Sequence, residues 1–159
     1  MPHGLREELK QTRPFPRRSA EAAVSVMRTA AILEHELNDV LKPSGLTVTQ
    51  YNVLRILRGS DPTRLTCSDI GERMIARDPD VTRVVDRLTA RRLVARVRST
   101  RDRRVVEVGI TEAGLALLRD LDVHVRRMPK ALLGHLGPAR LRQLRTLLEA
   151  VIADVGTFP

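Results

Sequence analysis

At 159 residues the chain is long enough for one domain with a real core and too short for two independent ones. Its net charge of +9 points to a polyanionic partner, nucleic acid ahead of an acidic membrane. Three aromatic residues (Phe15, Tyr51 and Phe158) argue against single-strand binding by base stacking, and a single cysteine excludes an internal disulfide and suits a reducing cytoplasm. No apolar signal core opens the chain and no window approaches roughly 18 uncharged apolar residues, so a soluble protein is expected.

Residues 1–18 carry four arginines and three prolines with little apolar pattern, which predicts a flexible basic arm. Residues 19–45 form a long helix and its stop. Ala23, Met27, Ala30, Leu33, Leu37 and Leu41 make one stripe, widened by Val26, Ile32 and Val40, and Lys42 to Gly45 end it. So broad a stripe asks for more cover than one small domain offers.

Residues 46–111 hold the most specific pattern. Thr47 and Gln50 spell a capping box, with Leu46 and Tyr51 placed as a hydrophobic staple. Thr66 and Asp69 repeat the signal, Asp standing where Glu is usual, and Ile70 and Met74 give this shorter helix its buried side. A tight turn then leads to a helix with Asp78 as N-cap and Pro79 in its first position. Its apolar face is Val81, Val84, Val85 and Leu88, which leaves Asp80, Thr82, Arg83, Asp86 and Arg87 outward. Two short helices across a tight turn predict a helix-turn-helix. Leu93 to Arg98 and Val105 to Ile110 then alternate as a hairpin around a tip too charged to be buried. From Arg83 to Arg104 there are nine arginines against two acids, so most of the chain's charge sits in this stretch.

Residues 112–159 are again helical. Thr111 caps a helix carrying Leu115, Leu118, Leu121, Val125 and Met128, which Pro129 ends or kinks, and a last helix carries Leu141, Leu144, Leu148, Val151 and Val155. Apolar helices at both ends of the sequence predict a homodimer in which 19–45 and 112–159 are the dimerisation helices.

Taken together, LTVTQYNVLRIL, TCSDIGERM, DVTRVVDRLTARRLV and STRDRRVVEVGITEAG resemble the MarR family of bacterial transcription regulators over roughly Ser19 to Ile152. The resemblance implies a mainly α (α+β) fold, a winged helix-turn-helix with interleaved N- and C-terminal dimerisation helices. It also implies a repressor of palindromic operators in double-stranded DNA, released by a small, commonly aromatic or phenolic ligand, in the bacterial cytoplasm at the nucleoid; the scarcity of aromatics adds an apolar acid as an alternative ligand. Three departures stand out. Arg92 occupies a turn position where relatives carry Gly, at a cost of about 1 kcal/mol if the turn stays left-handed. Pro79 and Asp80 replace the usual Ser or Thr at the front of the recognition helix. The cysteine of the peroxide-sensing branch is missing from the first helix.

On these grounds the recognition-helix candidates are Pro79, Asp80, Thr82, Arg83 and Arg87. Thr82 suits a phosphate or a thymine methyl, Arg83 a guanine edge or phosphate, and Asp80 a cytosine amino group. The wing candidates are Arg98, Arg101, Asp102, Arg103 and Arg104, with Arg104 entering the minor groove and Asp102 holding its guanidinium. Arg73, Arg77 and Arg96 are phosphate candidates, and His35 and Tyr51 the candidates for a ligand cleft. A plain solvated surface is the alternative for each charged group. Two other functions stay open: a sequence-tolerant architectural DNA binder, and a thiol-based redox sensor using Cys67. No cofactor, metal site or catalysis is expected, since the four His are not ligand-spaced and no nucleophile elbow, phosphate-cradling Gly loop or His-Glu-x-x-His helix occurs.

Overall fold

A computed structural model describes residues 4–76, 80–100 and 102–154. Among these residues seven α-helices and one hairpin follow in order: α1 (Leu5–Glu8), α2 (Arg18–Leu41), α3 (Val48–Ser60), α4 (Cys67–Arg73), α5 (Val81–Ala90), β1 (Val94–Arg98), β2 (Val106–Ile110), α6 (Glu112–Leu133) and α7 (Gly137–Asp154). Two compact units form, Met1–Glu36 and Leu37–Pro159.

In the first unit, the stretch expected to be a flexible arm contains the helical turn α1. Glu7 and Glu8 lie in its first turn, where negative charge suits the helix dipole. Glu8 also accepts from Arg28 Nε on α2 at 2.8 Å, an exposed pair of little energetic weight. Val26 and Met27 of α2 are 50 % and 71 % exposed.

The second unit holds the core. Leu41, Val53, Leu54, Leu57, Ile70, Val85, Leu88, Val108 and Leu118 are essentially excluded from water. They come from α2, α3, α4, α5, β2 and α6, so the helix-turn-helix and the base of the hairpin share one interior. Both capping boxes form: Gln50 N donates to Thr47 Oγ1 at 3.2 Å and Thr47 N to Gln50 Oε1 at 3.1 Å. At α4 the shorter Asp69 closes its box fully, Oδ2 accepting from Thr66 N at 2.9 Å and from Thr66 Oγ1 at 2.6 Å. Arg58 of α3 grips Asp122 of α6 through both ends of its guanidinium, at 3.0 and 3.1 Å.

The hairpin is antiparallel, in register from Val94↔Ile110 to Arg98↔Val106. Leu65 adds a short third rung, exchanging bonds of 3.0 and 2.7 Å with Val108. The alternation read from the sequence does not produce one buried face along the whole hairpin. Val94 and Val108 are buried, but Val97 is 37 % and Val106 45 % exposed, because the distal half extends beyond the helices that cover its base.

At the hairpin base three elements meet. Thr111 N donates to Leu93 O at 3.1 Å, and Thr111 Oγ1 accepts from Gly114 N at 3.1 Å while facing the carbonyls of Arg92 and Leu93. Arg92 adopts φ +58°, so the left-handed turn survives without its glycine. Pro129 does not end α6. It removes one N–H from the ladder and the helix continues to Leu133. The break falls at the 3₁₀ turn Gly134–Leu136, after which α7 buries no residue completely.

Three stability outcomes follow from these contacts. A Cβ on Gly114 would press on the Leu93 carbonyl and come within 2.7 Å of Ile110 Cγ1, so Gly114→Ala should cost about 1–3 kcal/mol in urea unfolding. Arg92→Gly should raise stability by about 1 kcal/mol in the same assay, since it relieves a left-handed L-residue. The Thr66 hydroxyl, then its N–H, hold the Asp69 carboxyl below its ordinary value of 3.8. Its contribution is therefore complete above about pH 4 and is lost as pH falls through the lowered folded value. Thermal melts of Asp69→Asn should show a shallower acid decline than the parent over that range.

Candidate nucleic-acid interface

Helix α5 is amphipathic in the sense its sequence requires. Val81, Val85 and Leu88 are buried, while Thr82, Arg83, Asp86 and Arg87 are exposed. Its start differs from expectation. Asp80, not Asp78, is the N-cap, its Oδ1 accepting from Arg83 N at 3.1 Å. An Asp three residues before an N–H of the first turn satisfies an otherwise orphan donor, which decides the start over the Pro signal. That carboxylate oxygen is thus committed to its own helix rather than held free for cytosine. Arg77, Asp78 and Pro79 lie outside the described residues. Arg83 and Arg87 form no ion pair among the described residues.

The turn before α5 is set by a residue that the sequence reading missed. Asn52 on α3 is 8 % exposed, and its Oδ1 accepts from Ile75 N at 3.0 Å. A polar side chain on the inward face of α3 is the signal that was available. Arg91, also missed, donates to Gly45 O at 3.0 Å and Ser44 O at 2.8 Å, tying the end of α5 to the turn ahead of α3. Nothing local in the sequence announces a contact between residues so far apart.

The wing tip is rebuilt by Asp102 in a way the sequence did not suggest. Its Oδ1 accepts from the backbone N–H of Arg104 at 2.9 Å, and its carbonyl from Val105 N at 2.9 Å. Asp favours this turn because its short carboxylate reaches the amide two residues on. It does not hold the Arg104 guanidinium, as expected, but shapes the turn that presents it. Arg98, Arg103 and Arg104 are exposed, and Arg98, Ser99, Thr100 and Arg103 line an open hollow of about 380 Å³. Arg101 lies outside the described residues.

The other candidates separate by contact. Arg73 donates to Ser60 Oγ at 2.9 Å and is exposed. Arg96 is turned onto α5, Nη1 lying 2.6 Å from Asp86 Oδ1 and Nη2 donating to Thr82 O at 3.3 Å, so its fork faces protein rather than an open phosphate position. Tyr51 is 4 % exposed and belongs to the core, which corrects its placement in a ligand cleft. Burial pushes its phenol above 10.0, an effect that Arg55 opposes, Asp122 reinforces and Arg58 opposes. His35 is exposed on α2. Cys67, half-buried at the start of α4, packs against the core. Among the described residues no three His, Cys, Asp or Glu side chains are grouped to hold a metal, and no helix is long and apolar enough to cross a membrane.

What converges on one unit, then, is an exposed helix face, an Arg-bearing wing beside it, and a core that holds both. Known proteins are similar to this chain in sequence and in fold. A family model described as the MarR family matches residues 44–105. The transcriptional regulator MhqR of Bacillus subtilis is 30 % identical over 106 residues, covering 65 % of this chain and 70 % of the relative. A MarR transcription factor from Planctomyces limnophilus is 38 % identical in its crystal structure, with a TM-score of 0.65 over 86 % of this chain and 99 % of that one. BpsR of Bordetella bronchiseptica, solved in work on the regulation of its DNA binding by 6-hydroxynicotinic acid, is 26 % identical, with a TM-score of 0.75 over 87 % of this chain and 97 % of its own. The winged helix-turn-helix, built on these residues and matched by these relatives, makes the chain a member of the MarR family of transcription regulators.

Proposed function

We propose that the protein is a homodimeric repressor that recognises a two-fold site in double-stranded DNA and is released from it by a small ligand. The observation that carries the reading is the juxtaposition of an exposed Thr82, Arg83 and Arg87 face on α5 with a wing bearing Arg98, Arg103 and Arg104. Helix α5 enters the major groove, where Arg83 contacts a guanine edge or phosphate and Thr82 a phosphate or thymine methyl. The wing, including Arg101, meets the flanking minor groove with Arg104 inserted, and Arg73 and Arg77 grip phosphates.

The dimer is supported by apolar surface that one copy leaves uncovered. On α7, Leu147, Val151 and Ile152 are 60 %, 65 % and 71 % exposed, which is the kind of contiguous patch that marks an interface. Two copies related by a two-fold axis would present two reading helices to successive major grooves. Release by a ligand rests on BpsR, whose DNA binding is regulated by 6-hydroxynicotinic acid. A small aromatic or apolar acid is the ligand class that follows for this chain.

The test is selection of bound genomic fragments followed by footprinting at physiological salt. One protected two-fold site is expected; equal protection of any duplex, with a specificity ratio near one, would instead identify a sequence-tolerant binder. On the selected site Arg104→Ala should weaken binding by about 1–3 kcal/mol with the dimer intact by light scattering. Unchanged affinity would remove the wing from the groove.

A further inference from the structure

Beyond the shared core, a side chain of the hairpin reaches across to the reading helix. Arg96 stands on β1 directly opposite Val108, so its Cβ is on the hairpin face that points into the protein. Its guanidinium lies against α5, with Nη1 2.6 Å from Asp86 Oδ1 and Nη2 donating to Thr82 O at 3.3 Å. Thr82 and Asp86 are four residues apart, on one side of that helix. One rung further out, Arg98 faces Val106, which is 45 % exposed, and the hairpin has left the core. Arg96 is therefore at the last point where the inward face of β1 meets α5.

We propose that Arg96 is a positioning residue that sets the angle between the wing and α5, so that both enter their grooves in one register. The proposal rests on the DNA-reading assignment above. Hydrophobic burial fixes only the base of the hairpin, because the distal half of the wing is not packed. A guanidinium can set the angle beyond it, since its donors diverge at a fixed angle toward two acceptors on one helix; an ammonium offers the charge without the fork. The Arg96 and Asp86 side chains are 31 % and 56 % exposed, so the pair adds little to stability and its removal should leave the fold intact. What it supplies is orientation. It also orders Asp86, whose negative charge stands among residues that would face a polyanion.

This last point makes the test decisive in sign. If Asp86 acted only through its charge, Asp86→Asn would tighten binding to DNA. As the acceptor of the Arg96 fork, the same change should weaken binding to the selected fragment about tenfold. Arg96→Ala should do likewise, and Arg96→Lys should not rescue it. Affinity would be measured by fluorescence anisotropy across a salt series on the full-length protein, with circular dichroism melts to verify folding. Because the wing arginines leave their groove when the angle is lost, the slope of log affinity against log salt should fall by the same amount in Asp86→Asn as in Arg96→Ala. Hydroxyl-radical footprints should lose the flanking minor-groove protection while guanines under α5 stay protected from methylation.

Rescue by Arg96→Lys, with a slope lowered by about one in Arg96→Ala and unchanged in Asp86→Asn, would make Arg96 an ordinary phosphate contact and overturn the proposal. So would Asp86→Asn binding more tightly than the parent. A parent footprint lacking paired major- and minor-groove protection would overturn the DNA-reading assignment and the positioning role together. A normal parent footprint reproduced by the Arg96 variants would overturn the positioning role alone.

Discussion

The close approach of Gly114 to the Leu93 carbonyl is the constraint on which the rest of the DNA-binding half depends. At that point the start of α6 meets the residue preceding β1 and the last residue of β2, and a side chain larger than hydrogen does not fit. Thr111 caps α6 with the same hydroxyl that faces the carbonyls of Arg92 and Leu93. One threonine therefore starts a helix and holds the base of a hairpin. Its position explains why the Thr-Glu-Ala-Gly run is informative: Thr111 and Gly114 meet one geometric demand from either end of a helical turn. The left-handed Arg92 belongs to this joint too. The turn keeps its geometry without glycine because the bonds from Arg92 N to Thr89 O at 2.8 Å and Leu93 N to Leu88 O at 3.0 Å close the end of α5 around it.

From that joint the molecule becomes progressively less determined by burial. The base of the hairpin is fixed by Val94 and Val108 in the core and by the Leu65 rung. Halfway out, apolar contact ends and charged groups take over: Arg96 on Asp86, then Asp102 folding the tip through the Arg104 amide. A protruding basic element needs this hierarchy. Packing supplies stability where water is excluded, and directional polar contacts supply shape where it is not.

On the other side of the fold, Arg58 and Asp122 link α3 to α6 across the boundary between the reading region and the long helices. Arg126 adds a third charge 3.6 Å from the same carboxylate. The network is half-buried, so it contributes more to where α6 sits than to how firmly the chain folds. Toward both ends of the described chain apolar side chains stay exposed, Val26 and Met27 on α2 and Leu147, Val151 and Ile152 on α7.

Most of what the sequence by itself determined has a local cause. The two capping boxes, the amphipathic α5, the paired strands and the cap at Thr111 all follow from residue type and spacing, since N-caps, apolar periodicity and turn chemistry act within a few residues. Side-chain destinations were less legible. Tyr51 looked available for a cleft and lies in the core; Asp80 looked like a base acceptor and caps its helix; Arg96 looked like a phosphate ligand and clasps α5. Asn52 and Arg91, whose partners are 23 and 46 or more residues away, were not seen at all. Only the tertiary structure decided these. A long polar side chain carries the same charge in any surroundings, and its role is set by whichever acceptor the folded backbone brings within reach.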